Sequence, residues 1–291
     1  MPTKKEKIDT GLGNVAKDFF FAMDENSVEK KDIPTKPAFL FSTDSLSGYG
    51  LDLIFELAKE AGFDGIDLAI WKNFDAWNVN YVKKLSEKHD LPIKIVQVSS
   101  NLNDKELNKA LDLCYALHAD TITINAPKTF NFKAFNYIVD NIARAKKENK
   151  NIHFTIINPE DSNIFALPIP KYRFSNIVEI IKKYLCYVGL DVANMDSNAF
   201  ENDFMRKIKD FLPYISTFYI SDKSRIGYGH VLPGDGVLKL EFLLERLKEY
   251  GYNRYISSKI YISKADLADV DKVKLILKKV KKYFTENYDE A

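Results

Sequence analysis

The feature that most limits what this chain can fold into is a rhythm. From Ala38 onward, short runs of apolar or alternating residues are followed by longer stretches with helical spacing, eight times in about 250 residues. AFLFST (38–43) reads as a strand and LDLIFELAKEAG (51–62) as a helix stopped by Gly62. GIDLAI (65–70) precedes a helical stretch from about Asp75 to His89. KIVQVS (94–99) precedes NDKELNKALDLCYALH (103–118), where Asn103 and Glu106 make a helix start. TITINAP (121–127) precedes FKAFNYIVDNIARAKKEN (132–149), and HFTIINP (153–159) leads through a longer loop to FSNIVEIIKKY (174–184). YVGLDVAN (187–194) precedes NDFMRKIKDFL (202–212), and STFYISD (216–222) precedes a glycine-rich polar loop and LKLEFLLERLKEYG (238–251). YISSKIY (255–261) and DVDKVKLILKKVKKYF (269–284) complete the series.

Strands alternating with helices imply a parallel sheet, and eight such units imply closure. The expected fold is therefore α/β, a (β/α)8 TIM barrel, forming a single domain over residues 37–291. Residues 1–36, whose charged ends flank an apolar patch from Val15 to Met23, read as an N-terminal extension. An open doubly wound sheet is the rival. It would place a glycine-rich phosphate fingerprint after the first strand, where FSTDSLSGYG stands instead.

Charge removes two partner classes. With 42 Lys and Arg against 41 Asp and Glu there is no electrostatic case for nucleic acid or an anionic membrane. A small polar ligand fits better, and homo-oligomerisation is left open. Cys114 and Cys186 sit among apolar residues and read as small buried hydrophobes, not as a disulfide or zinc framework. No apolar run approaches the roughly 20 residues of a membrane span, and the Lys-rich start lacks a signal-peptide core. A cytoplasmic protein is expected.

Alternation sorts the barrel side chains. In TITIN, Ile122 and Ile124 face the helices, leaving Thr121, Thr123 and Asn125 inside; in YISSKIY, Ile256 and Ile260 face out, leaving Ser257, Lys259 and Tyr261 inside. His153, Thr155 and Ile157 share one face, as do Tyr219 and Ser221, while Leu190 and Asp191 lie on opposite faces. Asn125, Asp191, Tyr219 and Lys259 then cluster near the C-terminal mouth, where barrels of this type do their chemistry. His153 starts its strand and belongs at the lower rim. His89 and His118 end helices, where a cation suits the dipole. Trp71, Phe74 and Trp77 follow the second strand and could stack on a sugar ring or shield a core edge.

GFDGIDL (62–68), YVGLDVAN, STFYISD, HVLPGDGVL (230–238) and GYNRYISSKI (251–260) resemble the xylose isomerase-like TIM barrel family. That family includes sugar and sugar-phosphate isomerases and epimerases, inosose dehydratases and DNA-repair endonucleases. The likeness covers about residues 38–285, and the loop holding His230 and Pro-Gly-Asp-Gly is its most specific element. The resemblance implies a divalent metal held by a Glu on strand five, an Asp on strand six, a His on strand seven and a Glu on strand eight. Those positions fall here on Ile157, Asp191, Tyr219 and Lys259, and the His usually three residues past the Asp is Asn194. Only Asp191 survives. An aliphatic side chain and an ammonium do not serve a hard cation, so no metal and no other cofactor are expected.

What the resemblance leaves is a sugar isomerase- or epimerase-like protein binding a small polyhydroxylated or phosphorylated ligand. Its expected catalytic residues are Lys259, Asp191 and Asp222. Ligand contacts are expected from Asn125, Asn158, Asn194, Tyr219, Arg225, His230 and Asp67. Lys259 would take the place of the metal, or form a structural ion pair with Asp191 in a site that has lost its activity. The alternative is a non-catalytic binding or scaffold protein, a pseudoenzyme that retains the barrel. A repair nuclease would need both a metal cluster and a basic groove.

Overall fold

The structure is a computed structural model that describes residues 34–127, 131–159, 162–164, 167–169 and 186–290. Eight parallel strands close into a barrel: β1 (Ala38–Ser42), β2 (Gly65–Ala69), β3 (Ile93–Val98), β4 (Thr121–Ile124), β5 (His153–Ile157), β6 (Tyr187–Asp191), β7 (Ile215–Ile220) and β8 (Tyr255–Ser258). The ring closes where β1 pairs with β8 on one side, Leu40 opposite Ser257, and with β2 on the other, Leu40 opposite Gly65. The helices described around it are α1 (Leu51–Ala61), α2 (Val79–His89), α3 (Asp104–Leu117), α4 (Phe132–Glu148), α5 (Met205–Phe211), α6 (Leu240–Glu249) and α7 (Val270–Phe284). The helix expected over 174–184 and most of residues 1–36 lie outside the described residues.

Local chemistry sets the boundaries. Gly62 stops α1 with φ 86°, a left-handed conformation that costs glycine nothing, and its N–H caps carbonyls of the last turn. The Asn103 side chain accepts the Glu106 N–H at 3.1 Å and starts α3. Glu106 does not reach back to Asn103. Its carboxylate accepts instead from the Ser99 N–H and hydroxyl, both at 2.7 Å, and so ties α3 to the end of β3. His89 departs from the expectation of a dipole-stabilising cation, because burial pushes its pKa down and favours the neutral ring.

The strand faces divide as alternation predicts. Phe39 and Phe41, Ile66 and Leu68, Val96 and Val98, Ile122 and Ile124, and Val188 and Leu190 point outward into one continuous apolar layer beneath the helices. Both cysteines are buried and unbridged. The inner faces are polar to an unusual degree, and this is the property that shapes the site. At the lower end, His153 meets the Tyr187 ring edge-on at 4.9 Å, Arg254 lies over Tyr187, and the Tyr255 hydroxyl donates to Asp120 at 2.7 Å. Burial lowers the pKa of His153, in keeping with a place at the lower rim. Among the described residues no helix is long and apolar enough to cross a membrane.

Candidate ligand site at the barrel mouth

Asp191 ends β6 on the inner face, and its backbone is fixed before its carboxylate meets anything. The Asn158 side chain accepts the Asp191 N–H at 2.6 Å and donates to the Asp191 carbonyl at 3.0 Å; the Asn194 amide in turn holds the Asn158 carbonyl at 3.0 Å. Asn158 and Asn194, expected as ligand contacts, are thus engaged in aiming the acid. Lys259, one residue past β8, brings Nζ to 3.6 Å from Asp191 Oδ2 and 3.8 Å from Asp44 Oδ2. Lys72 sits 3.5 Å from the other Asp44 oxygen, and His230 Nε2 lies 3.7 Å from Asp191 Oδ2.

Charges therefore alternate across the mouth. Each of these contacts is longer than a charge-assisted hydrogen bond, and both carboxylate oxygens of Asp191 are buried without a hydrogen-bond partner. His230 holds φ 64°, a strained conformation for a residue with a Cβ, and its Nδ1 lies 3.0 Å from the Ser221 hydroxyl. The strain is maintained by the loop around it, and it turns the imidazole toward Asp191.

Beneath this layer, Asp67 (β2), Gln97 (β3), Thr123 (β4), Tyr219 (β7) and Ser257 (β8) fill the barrel interior, all fully buried. Asp67 Oδ2 accepts from Gln97 Nε2 and Ser257 Oγ, both at 2.8 Å, while Gln97 also donates to Ser42 at 2.9 Å. Gln97 Oε1 has no hydrogen-bond partner, while the Tyr219 hydroxyl faces Thr123 and the second Asp67 oxygen in contacts looser than ideal hydrogen bonds. Burial raises Asp67 from its ordinary 3.8 to about 7, against the lowering effect of its two hydrogen bonds and of Lys259. Tyr219 is raised well above 10, by burial first and then by the Asp67 charge. Its ring packs where Gly189 leaves space: a Cβ there would stand 3.1 Å from Tyr219 Cε2.

Other expected site residues fall elsewhere. Asp222, expected to move a proton, has its carboxylate engaged by the N–H groups of Lys223, Gly234, Gly236 and Leu238 at 2.8–3.1 Å. It clamps the root of the loop. Arg225 is exposed at the tip of the small hairpin formed by 222–223 and 229–231. Asn125 donates to the Val98 carbonyl at 2.8 Å and joins two strand ends. Tyr261, expected inside, is 68% exposed, because β8 ends at Ser258 and strand alternation ends with it. Trp77 donates to the Ile70 carbonyl, whereas Phe74 is 95% exposed.

Asp44, Lys72 and Gln97 were not picked out by sequence reasoning. For Gln97 a signal existed, since alternation in IKIVQV puts it on the inner face with Ile93 and Ile95. For Asp44 and Lys72 there was none, because one lies in a single 3-10 turn of helix and the other in a tight turn, too short for any periodicity.

Among the described residues the donor set does not fit a divalent cation. Asp191 and His230 are two donors, Lys259 stands between acids as a competing cation, and among the described residues no three His, Cys, Asp or Glu side chains converge.

A family model described as xylose isomerase-like TIM barrel matches residues 55–279. Similar solved structures include a 3-keto-D-glucoside 4-epimerase from E. coli (14% identity, TM-score 0.62, 84% of this chain and 99% of that one). A probable 3-DHS dehydratase from Bacillus anthracis shares 14% identity at TM-score 0.61, over 85% and 98% of the two chains. A sugar phosphate isomerase/epimerase from Parabacteroides distasonis shares 14% at 0.58, over 88% and 97%. At such identities the likeness establishes the fold alone. Among curated proteins no sequence relative matches.

Proposed function

Because the chain belongs to the xylose isomerase-like TIM barrel family, we propose that it binds a small polyhydroxylated ligand at the barrel mouth and acts on it without a metal, as an isomerase or epimerase. One observation carries this reading. An acid with neither oxygen hydrogen-bonded and an ammonium 3.6 Å away stand together at the C-terminal end of the strands, above a polar barrel interior.

The chemistry is proton transfer beside a carbonyl. Asp191 takes the proton from the carbon next to the carbonyl, and the electron pair moves onto the carbonyl oxygen to give an enediolate. Lys259 stabilises that oxygen by its positive charge; return of the proton by Asp191 to the neighbouring carbon gives the isomer, and delivery of a proton from water to the opposite face, with Asp191 keeping the one it took, gives the epimer. His230, held toward Asp191 by its loop, orients the carboxylate. Asp222 has no part in the transfer.

The test is solvent exchange. Ketohexoses and inososes incubated with the chelator-treated protein in heavy water should gain deuterium at the carbon beside the carbonyl. Lys259→Met and Asp191→Asn should each slow this at least 100-fold. If no sugar exchanges and none raises the melting temperature, the scaffold reading replaces this one. The mutual neutralisation of Lys259, Asp191 and Asp44 is the observation that favours that alternative.

A further inference from the structure

Two apolar features of the chain are left over once the barrel and its polar centre are accounted for, and they complement each other. The first is an arc of the rim. Phe74 and Trp71 follow β2, Tyr261 follows β8, and Ile226 and Tyr228 lie on the hairpin after β7; in that order they are 95%, 38%, 68%, 81% and 71% exposed. Taking about 200 Å² for a full side chain, the five leave roughly 700 Å² open to water. The largest apolar patch on a monomer is commonly about 300–600 Å².

The fold holds these side chains outward. Strands β7, β8, β1 and β2 are consecutive in the ring, and their loops, all among the described residues, are tied to one another. The Tyr261 N–H donates to the His230 carbonyl at 2.6 Å, the Ile260 N–H to the Ser45 hydroxyl at 3.0 Å, and the Asn73 amide to the Tyr49 carbonyl at 3.4 Å. Loops so fastened do not fold inward to bury their own tips. Cover has to come from elsewhere.

The second feature is VAKDFFFAM, residues 15–23, with three successive phenylalanines; it lies outside the described residues. Its tether starts below the same strands. The Pro34 carbonyl accepts from the Asn253 amide, just before β8, at 3.0 Å, and Lys36 pairs with Asp289 beyond α7 at 3.3 Å. Helix α7, with 15 residues and a length of about 22 Å, spans the height from there to the rim. Residues 24–33 extend over about 36 Å, so they reach. The path has the matching charge as well. Asp24, Glu25, Glu29 and Asp32 outnumber Lys30 and Lys31 in the tether, and the exposed face of α7 presents Lys272, Lys278, Lys279 and Lys282 around an exposed Leu275. A segment tethered so closely acts at a roughly millimolar effective concentration, which a second copy attains only in concentrated solution.

We propose that residues 15–23 dock in cis on the arc formed by Trp71, Phe74, Ile226, Tyr228 and Tyr261, with residues 24–33 lying along α7. The chain thereby supplies its own cover for one side of the mouth, whatever the ligand beneath it.

Trp71 and Trp77 are the only tryptophans, so full-length Trp77→Phe carries a single fluorescent reporter, placed on the arc. Replacing Phe19, Phe20 and Phe21 together by serine in that background should raise the acrylamide quenching constant at least twofold. Unchanged quenching overturns the proposal. From the other side, Phe74→Asp with Tyr261→Asp should speed chymotrypsin cleavage within residues 15–23 at least fivefold; a wild type cut as fast as the variant also overturns it. Both readouts are taken over a hundredfold range of protein concentration, with mass followed by sedimentation. One chain per particle and no dependence on concentration are expected. Protection that appears only with a two-chain mass assigns the arc to a second copy and overturns docking in cis. Should one variant fail to fold, the other decides the matter.

Discussion

Asp67→Asn isolates the energetics of the barrel interior in one substitution. Asp67 is fully buried, and burial lifts its pKa from 3.8 to about 7. Between those two values the folded chain holds a proton that the unfolded chain has released. The stability this group contributes is fully present below 3.8, falls as the unfolded carboxyl ionises, and is gone once pH passes about 7. The gap between the two values corresponds to about 4 kcal/mol in total, of which roughly 2–3 kcal/mol is lost between pH 5 and pH 8. Asparagine copies the protonated acid. Its carbonyl can accept from Gln97 and Ser257 as Asp67 Oδ2 does, and its amide can donate toward the Tyr219 hydroxyl. Urea unfolding at pH 5 and pH 8 should show the wild type losing roughly 2–3 kcal/mol across that range, with the variant nearly flat. At pH 8 the variant should be the more stable protein. Parallel pH profiles for the two proteins would refute the reasoning, because the carboxyl would then ionise in the fold as it does in water.

Further expectations concern the mouth and its support. Lys259→Met leaves Asp191 buried without its ammonium and should cost about 3–5 kcal/mol in urea unfolding, largely recovered by adding Asp191→Asn; a cost below about 0.5 kcal/mol would mean the pair is solvated. Gly189→Ala pushes a Cβ against Tyr219 and Thr155 and should destabilise by about 1–3 kcal/mol, whereas a neutral result would show the interior to be loosely filled. Asn158→Ala removes both bonds that hold the Asp191 backbone, at about 1–3 kcal/mol. If Asp191 is aimed by Asn158, exchange catalysis should fall further than stability alone explains.

The barrel was legible because two periods are written into the strands and helices and because their alternation repeats. Inward parity placed Asp191, Tyr219 and Thr123 correctly from residue order alone. It failed at Tyr261, where the strand stops three residues earlier and side-chain direction is set by the turn. The roles of Asn158, Asn194 and Asp222 were not legible for a different reason. An Asn or Asp at a strand end looks the same whether it meets a ligand or satisfies a backbone, and only distances separate the two. Asp44 and Lys72, which complete the charge alternation, come together from separate turns, and no spacing along the chain records that meeting.

The Asp222 clamp also bears on how such a protein could change over time. A single side chain gathers N–H groups from Lys223 at one end of the loop and from Gly234, Gly236 and Leu238 at the other. The segment from Ser224 to Tyr228, which projects beyond that fastening, can be exchanged for other residues or lengthened while its anchorage stays intact. The tip can then be rebuilt without disturbing its root, as a tool takes a new bit in the same chuck.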